Sequence, residues 1–168
     1  MPATAKFTIE QASRPVDVAA VAALFRAYAA SLDVDLAYQG FEAELAALPG
    51  KYAPPHGALL LARDAAGVPV GCVALRLLAE PHTCEMKRLY VPPAARGTGL
   101  GRALVDAVIA EARRLGYRAL CLDTLPSMAK AVAIYRGLGF VEIAPYYDTP
   151  VAGTIFLRLA LADGACGR

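Results

Sequence analysis

The stretch YVPPAARGTGLGRALVDAVIAEARRLGY, residues 90–117, decides the fold of this 168-residue chain. The chain leaves a β-type run, crosses two prolines and a glycine cluster, and continues as a helix predicted over residues 100–115. The apolar face of this helix comprises Leu104, Val105, Val108, Ala112 and Leu115. Gly116 ends the helix, and an apolar strand follows over residues 117–124. A strand, a helix and a strand in this order predict parallel pairing of the two strands through a right-handed crossover.

Strands and helices are also predicted on both sides of this unit. The predicted strands are residues 6–11, two arms of a hairpin within 57–78 that turns at 64–67, and residues 83–91, 140–143 and 152–161. The predicted helices are residues 14–31 with Pro15 at the start, residues 39–50, and a helix capped by Ser127 that ends at Gly137. This order predicts a mixed sheet covered by helices, in the α/β or α+β class. We expect a single domain over residues 1–168.

The composition is that of a globular protein. Hydrophobic residues make up 57% and charged residues 19% of the chain, and the net charge is +2 without a basic cluster, so neither nucleic acid nor a membrane is an expected partner. No apolar run approaches the roughly 18 residues of a membrane span. Residues 1–15 lack the apolar core of a signal peptide, so we expect a cytoplasmic protein. Cys72, Cys84, Cys121 and Cys166 show no CxxC spacing, which favours reduced, buried thiols over a disulfide or a metal site.

Gly97, Gly99 and Gly101 form a cluster at the start of the predicted central helix. Missing side chains let successive backbone amides converge on an anion, and the helix N-terminus adds positive potential, so the cluster suits a phosphate group. A plain turn is the alternative. A dinucleotide fingerprint would need glycine where Arg102 stands, and a Walker loop would need Lys followed by Ser or Thr. The pattern present is RxxGxG, which begins at Arg96.

With this loop, and with the later segment AIYRGLGF that carries YxxxGF from Tyr135 to Phe140, the chain resembles the GCN5-related N-acetyltransferases (GNAT family). The likeness covers residues 85–140 in motif and about residues 9–161 in the order of elements. It implies a mixed, mostly antiparallel sheet that splays between its fourth and fifth strands, with about four flanking helices. Where the family often has asparagine, seven residues before the tyrosine, this chain has Met128.

The resemblance also implies acetyl-CoA as cosubstrate, without a metal. The residues that it assigns to the coenzyme are Leu89, Tyr90 and Val91 for the pantetheine arm, the amides of Arg96, Gly97, Thr98, Gly99, Gly101 and Arg102 for the pyrophosphate, and Tyr135 for the sulfur. The Thr98 hydroxyl and the arginine side chains are expected to add contacts at the rim.

Acetyl transfer to an amine needs a proton acceptor, a donor for the thioester oxygen and a proton source for the thiolate. The resemblance implies the Leu89 amide, freed by a bulge, as the oxygen donor and Tyr135 as the sulfur partner. Glu85 aligns with a glutamate that acts as base in the histone-acetylating branch, and strand alternation puts Glu85, Lys87 and Leu89 on one face. Burial would raise the Glu85 pKa towards this role. A water relay, or an ordinary pair with Lys87 or Arg88 on a partly solvated strand, is the alternative.

The acceptor is less well defined by the sequence. We expect a small-molecule amine, because no basic stripe indicates a histone or ribosomal partner. The resemblance implies an acceptor pocket built by residues 28–45 and residues 145–153. In the second segment Tyr146, Tyr147 and Asp148 are candidates for a pocket wall, with a surface turn as the preferred interpretation. Lys87 and Arg88 are candidates for holding an acceptor carboxylate, with exposed strand cations as the simpler interpretation. A non-catalytic acyl-CoA sensor, a longer acyl group or an oxygen acceptor are the functional alternatives, and a homodimer is one expected assembly.

Overall fold

The computed structural model describes residues 6–161, whose strands form one seven-stranded sheet. The strands are β1 (Phe7–Gln11), β2 (Ala58–Asp64), β3 (Pro69–Leu77), β4 (Thr83–Tyr90), β5 (Ala119–Thr124), β6 (Val141–Ile143) and β7 (Ile155–Ala160). Their order across the sheet is β1-β2-β3-β4-β5-β7-β6. Within the described residues, β4 and β5 are the one parallel pair and the other neighbours run antiparallel. The predicted mixed sheet and its crossover are confirmed.

Helices flank the sheet, and short 3₁₀ turns join several elements. The helices are α1 (Pro15–Ser31), α2 (Phe41–Ala47), α3 (Leu100–Arg114) and α4 (Ala129–Gly137), and the 3₁₀ turns are Leu36–Gln39, Gly50–Tyr52 and Pro93–Ala95. α2 is shorter than predicted because Gly40, with a left-handed φ of 69°, separates it from the turn before it.

The predicted cap of α4 is wrong. Ser127 makes no capping hydrogen bond; the N-cap is Met128, and α4 starts at Ala129. A turn in which Met128 N donates to Leu125 O at 2.9 Å precedes the helix and delays its start.

Alternating side chains of β2 divide the core into two clusters. Ala58, Leu60 and Ala62 pack with the buried face of α3, whereas Leu59 and Leu61 pack with α1 on the opposite face of the sheet. The predicted apolar face of α3 is buried, save for the half-buried Leu115. Both faces of the sheet are therefore covered, and polar groups that a ligand can reach must lie at its ends or in a gap.

Such a gap opens at the end of β4. β3 pairs Ala74 with Lys87 and Cys72 with Tyr90, so β4 carries one extra residue in the bulge at Arg88 and Leu89. Arg88 has a φ of 59°, which is unusual for a residue other than glycine. On its other side β4 pairs with β5 as far as Glu85 and Cys121, although both strands continue beyond this point. The two strands therefore diverge over their last residues, as the resemblance implied.

The described cysteines, Cys72, Cys84 and Cys121, are free and buried, which agrees with the prediction of reduced thiols. The prediction for Cys166 lies outside the described residues. No helix within residues 6–161 is long and apolar enough to cross a membrane.

Candidate active site

The loop between β4 and α3 presents a run of unpaired backbone amides. From Gly97 to Arg102, none of these N–H groups donates a hydrogen bond within residues 6–161, and the next one, Ala103 N, donates to Gly99 O at 3.1 Å. Gly97 and Gly99 have φ of 77° and 83°, a left-handed backbone conformation that favours glycine whether or not a ligand is bound. The loop thus offers its amides at the positive end of a helix, where an anion is stabilised.

Gly101 needs a different explanation. It lies in the first turn of α3 without a left-handed φ, and glycine there costs about 1 kcal/mol relative to alanine. A Cβ built at this position would meet nothing closer than Ile134 Cδ1, at 3.9 Å. Neither backbone strain nor crowding within the described chain accounts for this glycine. A ligand that passes close over the helix start would account for it.

Two side chains of the loop bond within the protein. Arg96 Nε donates to Val91 O at 2.9 Å, and Thr98 Oγ1 donates to Ala95 O at 2.8 Å. The Thr98 hydroxyl thus donates within the loop, and its contact with a phosphate stays a prediction, whereas the Thr98 amide is unpaired within residues 6–161. The Val91 carbonyl is likewise used by Arg96.

A narrow cleft lies between the diverging ends of β4 and β5. Its lining includes Met86 and Leu89 from β4, Leu122, Asp123 and Thr124 from β5, Met128, and Tyr135 from α4. Met128 Sδ accepts a weak hydrogen bond from Thr124 Oγ1 at 3.8 Å, so this residue forms a wall of the cleft where the family often has asparagine. The cleft brings together the predicted site residues Leu89 and Tyr135.

Tyr135 presents an uncommitted phenol to this cleft. Its ring packs against Phe140 with 5.6 Å between ring centroids, and the residue is 4% exposed. The hydroxyl makes no hydrogen bond within residues 6–161. Burial, with smaller contributions from Tyr28 and Asp123, raises the pKa of Tyr135 above its ordinary value. The phenol is therefore protonated at neutral pH and can donate a hydrogen bond.

The predicted face of Leu89 is wrong, because the bulge shifts the alternation of β4. Leu89 packs with Met86 against the α3 side of the sheet, whereas Glu85 and Lys87 lie on the opposite side. The backbone of Leu89 has no cross-strand partner on β3 or β5. The side chain of Leu89 thus faces away from Glu85, while its backbone lies at the gap.

A larger cavity of about 510 Å³ opens beyond the cleft, within the usual size range of small-molecule pockets. Tyr146 and Tyr147 form its aromatic wall, and both rings pack edge-on against Phe156 at 5.1 and 5.2 Å between centroids. Tyr146 Oη donates to Glu85 Oε2, and Tyr147 Oη donates to Asp123 Oδ2, each at 2.5 Å. Of the two interpretations of this segment, the pocket wall agrees with the structure and the preferred surface turn does not.

Glu85 is a buried, fully paired carboxylate rather than a partly solvated one. It is 1% exposed and accepts from Arg76 Nε at 2.9 Å, while Lys87 Nζ lies 3.7 Å away. Burial raises the pKa of Glu85, but Lys87, Tyr146 and Arg76 together outweigh burial and hold the pKa below its ordinary value. The expectation that burial would leave Glu85 with a raised pKa is wrong. Glu85 does form the ion pair with Lys87 that is the alternative to its role as a base, although on a buried strand.

The side chains of Lys87 and Arg88 are buried, so neither residue is the exposed strand cation of the simpler interpretation. The Lys87 side chain is 8% exposed, and burial lowers its pKa although Glu85 and Asp123 oppose this effect. Arg88 Nε and Nη2 donate to Glu44 at 2.9 and 3.3 Å, and Arg88 Nη1 donates to Gln39 Oε1 at 2.7 Å. Arg88 thus ties α2 and the turn Leu36–Gln39 to the bulge of β4.

Sequence reasoning missed two residues of this site, Arg76 on β3 and Asp123 on β5. Tyr38 and Gln39, which border both the cleft and the cavity, belong to the segment 28–45 that the resemblance assigns to the acceptor pocket. Adjacent tyrosines between Pro145 and Pro150 were the available signal for the aromatic wall, since such a pair is costly to leave in water. Within residues 6–161 no group of three or more His, Cys, Asp or Glu is placed to hold a metal ion.

Comparisons with known proteins agree with this geometry. A family model described as Acetyltransferase (GNAT) family matches residues 21–140. An uncharacterized N-acetyltransferase of Schizosaccharomyces pombe is 39% identical over 155 residues, which cover 92% of this chain and 95% of that protein. A GNAT-family acetyltransferase structure from Staphylococcus aureus aligns with a TM-score of 0.76 at 19% identity, over 92% of this chain and 99% of its own. A Salmonella typhimurium structure that contains acetyl-CoA as cofactor aligns with a TM-score of 0.67 at 24% identity, over 95% and 96% of the two chains. Since the family model spans more than half of the chain and the yeast relative nearly all of it, this protein belongs to the GNAT acetyltransferase family.

Proposed function

We propose that this protein transfers the acetyl group of acetyl-CoA to the amine of a small molecule, with both substrates bound at once. The observation that carries the proposal is the run of unpaired amides from Gly97 to Arg102 in the loop that follows β4, the strand that forms one side of the cleft. Bound acetyl-CoA would supply an activated acyl group as a thioester. The chain itself supplies an anion-binding loop, a slot for an extended arm, and a separate cavity for the acceptor.

The binding roles are those that the resemblance implies, and the fold leaves most of these groups unpaired. The amides of Gly97, Thr98, Gly99, Gly101 and Arg102, which donate no hydrogen bond within residues 6–161, are assigned to the pyrophosphate. The Arg96 amide, which donates to Pro93 O at 3.3 Å, is assigned to the same group and would exchange that bond for one to the ligand. The backbone of Leu89, Tyr90 and Val91 is assigned to the pantetheine arm, although the Val91 carbonyl accepts from Arg96 Nε. Gly101 fits this assignment, because a side chain there would project into open space at the start of α3. The assignment is supported by the same loop geometry that favours anions in general.

Leu89 and Tyr135 are assigned to the reacting end. The Leu89 amide lies in the bulge without a strand partner and would stabilise charge that develops on the thioester oxygen. Tyr135 would donate a hydrogen bond to the departing sulfur. With ordinary pKa values near 10 and 8.5, complete proton transfer would cost about 2 kcal/mol, and the raised pKa of Tyr135 increases this cost. Hydrogen bonding, rather than complete transfer, is the favoured role.

Replacement of Tyr135 by phenylalanine is expected to lower kcat about 100-fold and to leave acetyl-CoA affinity unchanged, because the ring still packs against Phe140. Thiol release and calorimetry measure the two quantities. Tyr28→Phe is the matched control, since Tyr28 lines the same cleft and is assigned no part in the transfer. Equal turnover in Tyr135→Phe and in the wild type would make Tyr135 a packing residue.

Glu85 is assigned to proton removal from the acceptor through water. An ordinary carboxyl near pKa 4.3 is about 6 units, or about 8 kcal/mol, too acidic to take a proton directly from an alkylamine near 10.4. The lowered pKa of Glu85 widens this difference. A relay to solvent, with an acceptor amine of lower pKa, therefore fits the geometry better than direct transfer.

We expect Glu85→Gln to reduce kcat/KM about 100-fold, because glutamine cannot take the proton. The glutamine oxygen can still accept from Arg76 Nε, and its NH2 group can donate to Tyr146 Oη in place of the bond that Tyr146 donates to Glu85. The pH–rate profile should still rise towards the pKa of the acceptor amine, since the Glu85 pKa lies below the assayed range. Glu80→Gln, in the same cavity but paired with Arg158, is the control. A less than threefold loss in Glu85→Gln would contradict the relay.

The proposal as a whole is tested by titrating the purified protein with acetyl-CoA, CoA and NAD, and then following thiol release against a panel of amines. The proposal is supported if the protein binds acetyl-CoA and CoA but not NAD, and if at least one amine causes thiol release. Binding without release by any amine would favour a sensor, and no binding would reduce the loop to a turn. We further propose that residues 1–168 form one such domain, which acts in the cytoplasm without a metal.

A further inference from the structure

Lys87 occupies the border between the cleft and the acceptor cavity. Together with Tyr38 and Gln39 it lines both spaces, and it is the one charged residue within the described chain that does so. Asp123 lies on the cleft side of this border, and Arg76 lies on the cavity side. When the amine of an acceptor reaches the cleft from the cavity, the atoms next to that amine therefore lie beside Lys87.

Lys87 has hydrogen-bonding capacity that the protein leaves unused. Its side chain is 92% buried, given an exposed fraction of 8%, yet Nζ makes no hydrogen bond within residues 6–161. The two nearby carboxylate oxygens, Glu85 Oε1 and Asp123 Oδ1, lie 3.7 and 3.9 Å away, beyond hydrogen-bond distance. Three N–H donors of a buried ammonium are costly to leave without an acceptor.

Arg76 adds a second set of donors beside Lys87. Its Nε donates to Glu85 Oε1, the same oxygen that Lys87 approaches, so the two cations are close neighbours. The terminal nitrogens of Arg76 make no hydrogen bond within the described residues, and its side chain, 32% exposed, lines the cavity. An arginine with both terminal nitrogens free can bind a carboxylate through two parallel hydrogen bonds.

The other charges around the cavity are occupied, except that of Asp148, an exposed carboxylate that also lines it. Arg158 pairs with Glu80 at 3.0 Å, and Lys51 pairs with Glu44 at 3.3 Å. Glu85 Oε2 and Asp123 Oδ2 accept from the tyrosine hydroxyls of the aromatic wall. Asp123 Oδ1, at the cleft, has Lys87 Nζ at 3.9 Å and accepts no hydrogen bond from any residue between 6 and 161. Within the described residues, free donors thus remain on Lys87 and Arg76, and free carboxylate oxygens remain on Asp123 at the cleft and on the exposed Asp148 of the cavity.

We infer that the acceptor is a zwitterion with a carboxylate on the carbon next to its amine, as in a free α-amino acid. Its carboxylate binds Lys87 and Arg76, and its ammonium group lies at Asp123 Oδ1 before it loses a proton. This inference rests on the proposed acetyl transfer and names the substrate class of that site. An α-amino acid carries both charged groups on one carbon, which suits the neighbouring Asp123 Oδ1 and Lys87 Nζ, 3.9 Å apart. Tyr146 and Tyr147 would contact the amino acid side chain.

The test compares matched acceptors on the wild-type protein with saturating acetyl-CoA. Each free amino acid is assayed beside its carboxamide and its decarboxylated amine, with thiol release and mass spectrometry of the N-acetyl product as readouts. For at least one amino acid we expect kcat/KM to be at least about 10-fold higher than for its carboxamide and for its decarboxylated amine. A factor of this size corresponds to the loss of one hydrogen bond to a charged group. This comparison needs no variant and so does not depend on how a variant folds.

Lys87→Met should reduce that advantage to less than about threefold, mainly through KM, while acetyl-CoA affinity stays unchanged. Arg158→Met, which removes a cavity cation already paired with Glu80, should keep the full advantage. Acetylation of plain amines as fast as of the amino acids would overturn the inference and leave the proposed function standing. Binding of acetyl-CoA without acetylation of any amino acid would also overturn it. No binding of acetyl-CoA would refute the proposed function, and this inference with it.

Discussion

Gly101→Glu is expected to weaken acetyl-CoA binding at least about 100-fold, because a fixed negative charge would stand among the amides assigned to the pyrophosphate. The position is the first turn of α3, and a side chain there would project into open space, since the nearest atom to a built Cβ is Ile134 Cδ1 at 3.9 Å. A glutamate carboxylate could also accept from the free amides of the loop itself. Both effects exclude a diphosphate without disturbing the core.

Gly101→Gln is the matched control, since it has the same size without the charge. Both variants should unfold at a slightly higher temperature than the wild type, because replacing glycine in a helix stabilises it by roughly 0.5 to 1 kcal/mol. Calorimetric titration and thermal unfolding together separate loss of the ligand from loss of the fold. If both variants bind acetyl-CoA equally weakly, the size of the new side chain and not its charge causes the loss. If Gly101→Glu binds acetyl-CoA as tightly as the wild type, the assignment of the pyrophosphate to this loop is wrong.

The fold was largely predictable because its signals are local. The apolar stripe of α3, the alternation along β2 and the order of elements each depend on residues a few positions apart, and the structure has them where predicted. Ser127 shows the limit of such signals, because a serine before a helix is a common cap and yet a turn here displaces the helix start to Ala129.

The candidate site was predictable where backbone chemistry defines it and not where distant side chains meet. The glycine loop is visible in the sequence, because glycine is needed at φ of 77° and 83°. The contact between Tyr146 and Glu85 joins residues 61 positions apart, and no local pattern reports it. The left-handed φ of Arg88 is equally invisible, although it decides that Leu89 and Lys87 face opposite sides of the sheet. Glu85 is buried, and burial alone would raise its pKa, but Lys87, Tyr146 and Arg76 together lower the pKa below its ordinary value. Of these contacts, those with Tyr146 and Arg76 could not be read from the sequence.

Arg88→Met is expected to lower the free energy of unfolding by about 3 kcal/mol, the largest stability loss of any single change considered for this chain. The Arg88 and Glu44 side chains are 2% and 4% exposed, and their pair joins the β4 bulge to α2. Removal of the guanidinium leaves a buried carboxylate with Lys51 at 3.3 Å and the Tyr52 hydroxyl at 2.7 Å, which compensate it only in part. Loss of the packing of Arg88 over the Phe41 ring, at 5.2 Å, adds to the effect.

Urea unfolding measures this loss, and two further variants show its cause. Arg88→Met combined with Glu44→Leu removes both charges and should recover at least about half of the loss, since a buried pair is replaced by apolar groups. Arg114→Met removes an exposed partner of Glu111 on α3 and should change stability by less than about 1 kcal/mol. A loss below about 1 kcal/mol in Arg88→Met would mean that the pair does not hold α2 to the sheet.

The pH dependence of stability gives an independent measure of the same pair. Burial raises the pKa of Glu44, but Arg88, Tyr52 and Lys51 together hold the pKa below its ordinary value of 4.5. A carboxyl with a lowered folded-state pKa contributes stability that is fully present above the unfolded pKa and is lost as the pH falls through the folded pKa. We therefore expect wild-type stability to decline below about pH 4.5 more steeply than that of the variant carrying both Arg88→Met and Glu44→Leu, in which this carboxyl is absent. Parallel declines of the two proteins between pH 5 and pH 3 would show that Glu44 is not held ionised by Arg88.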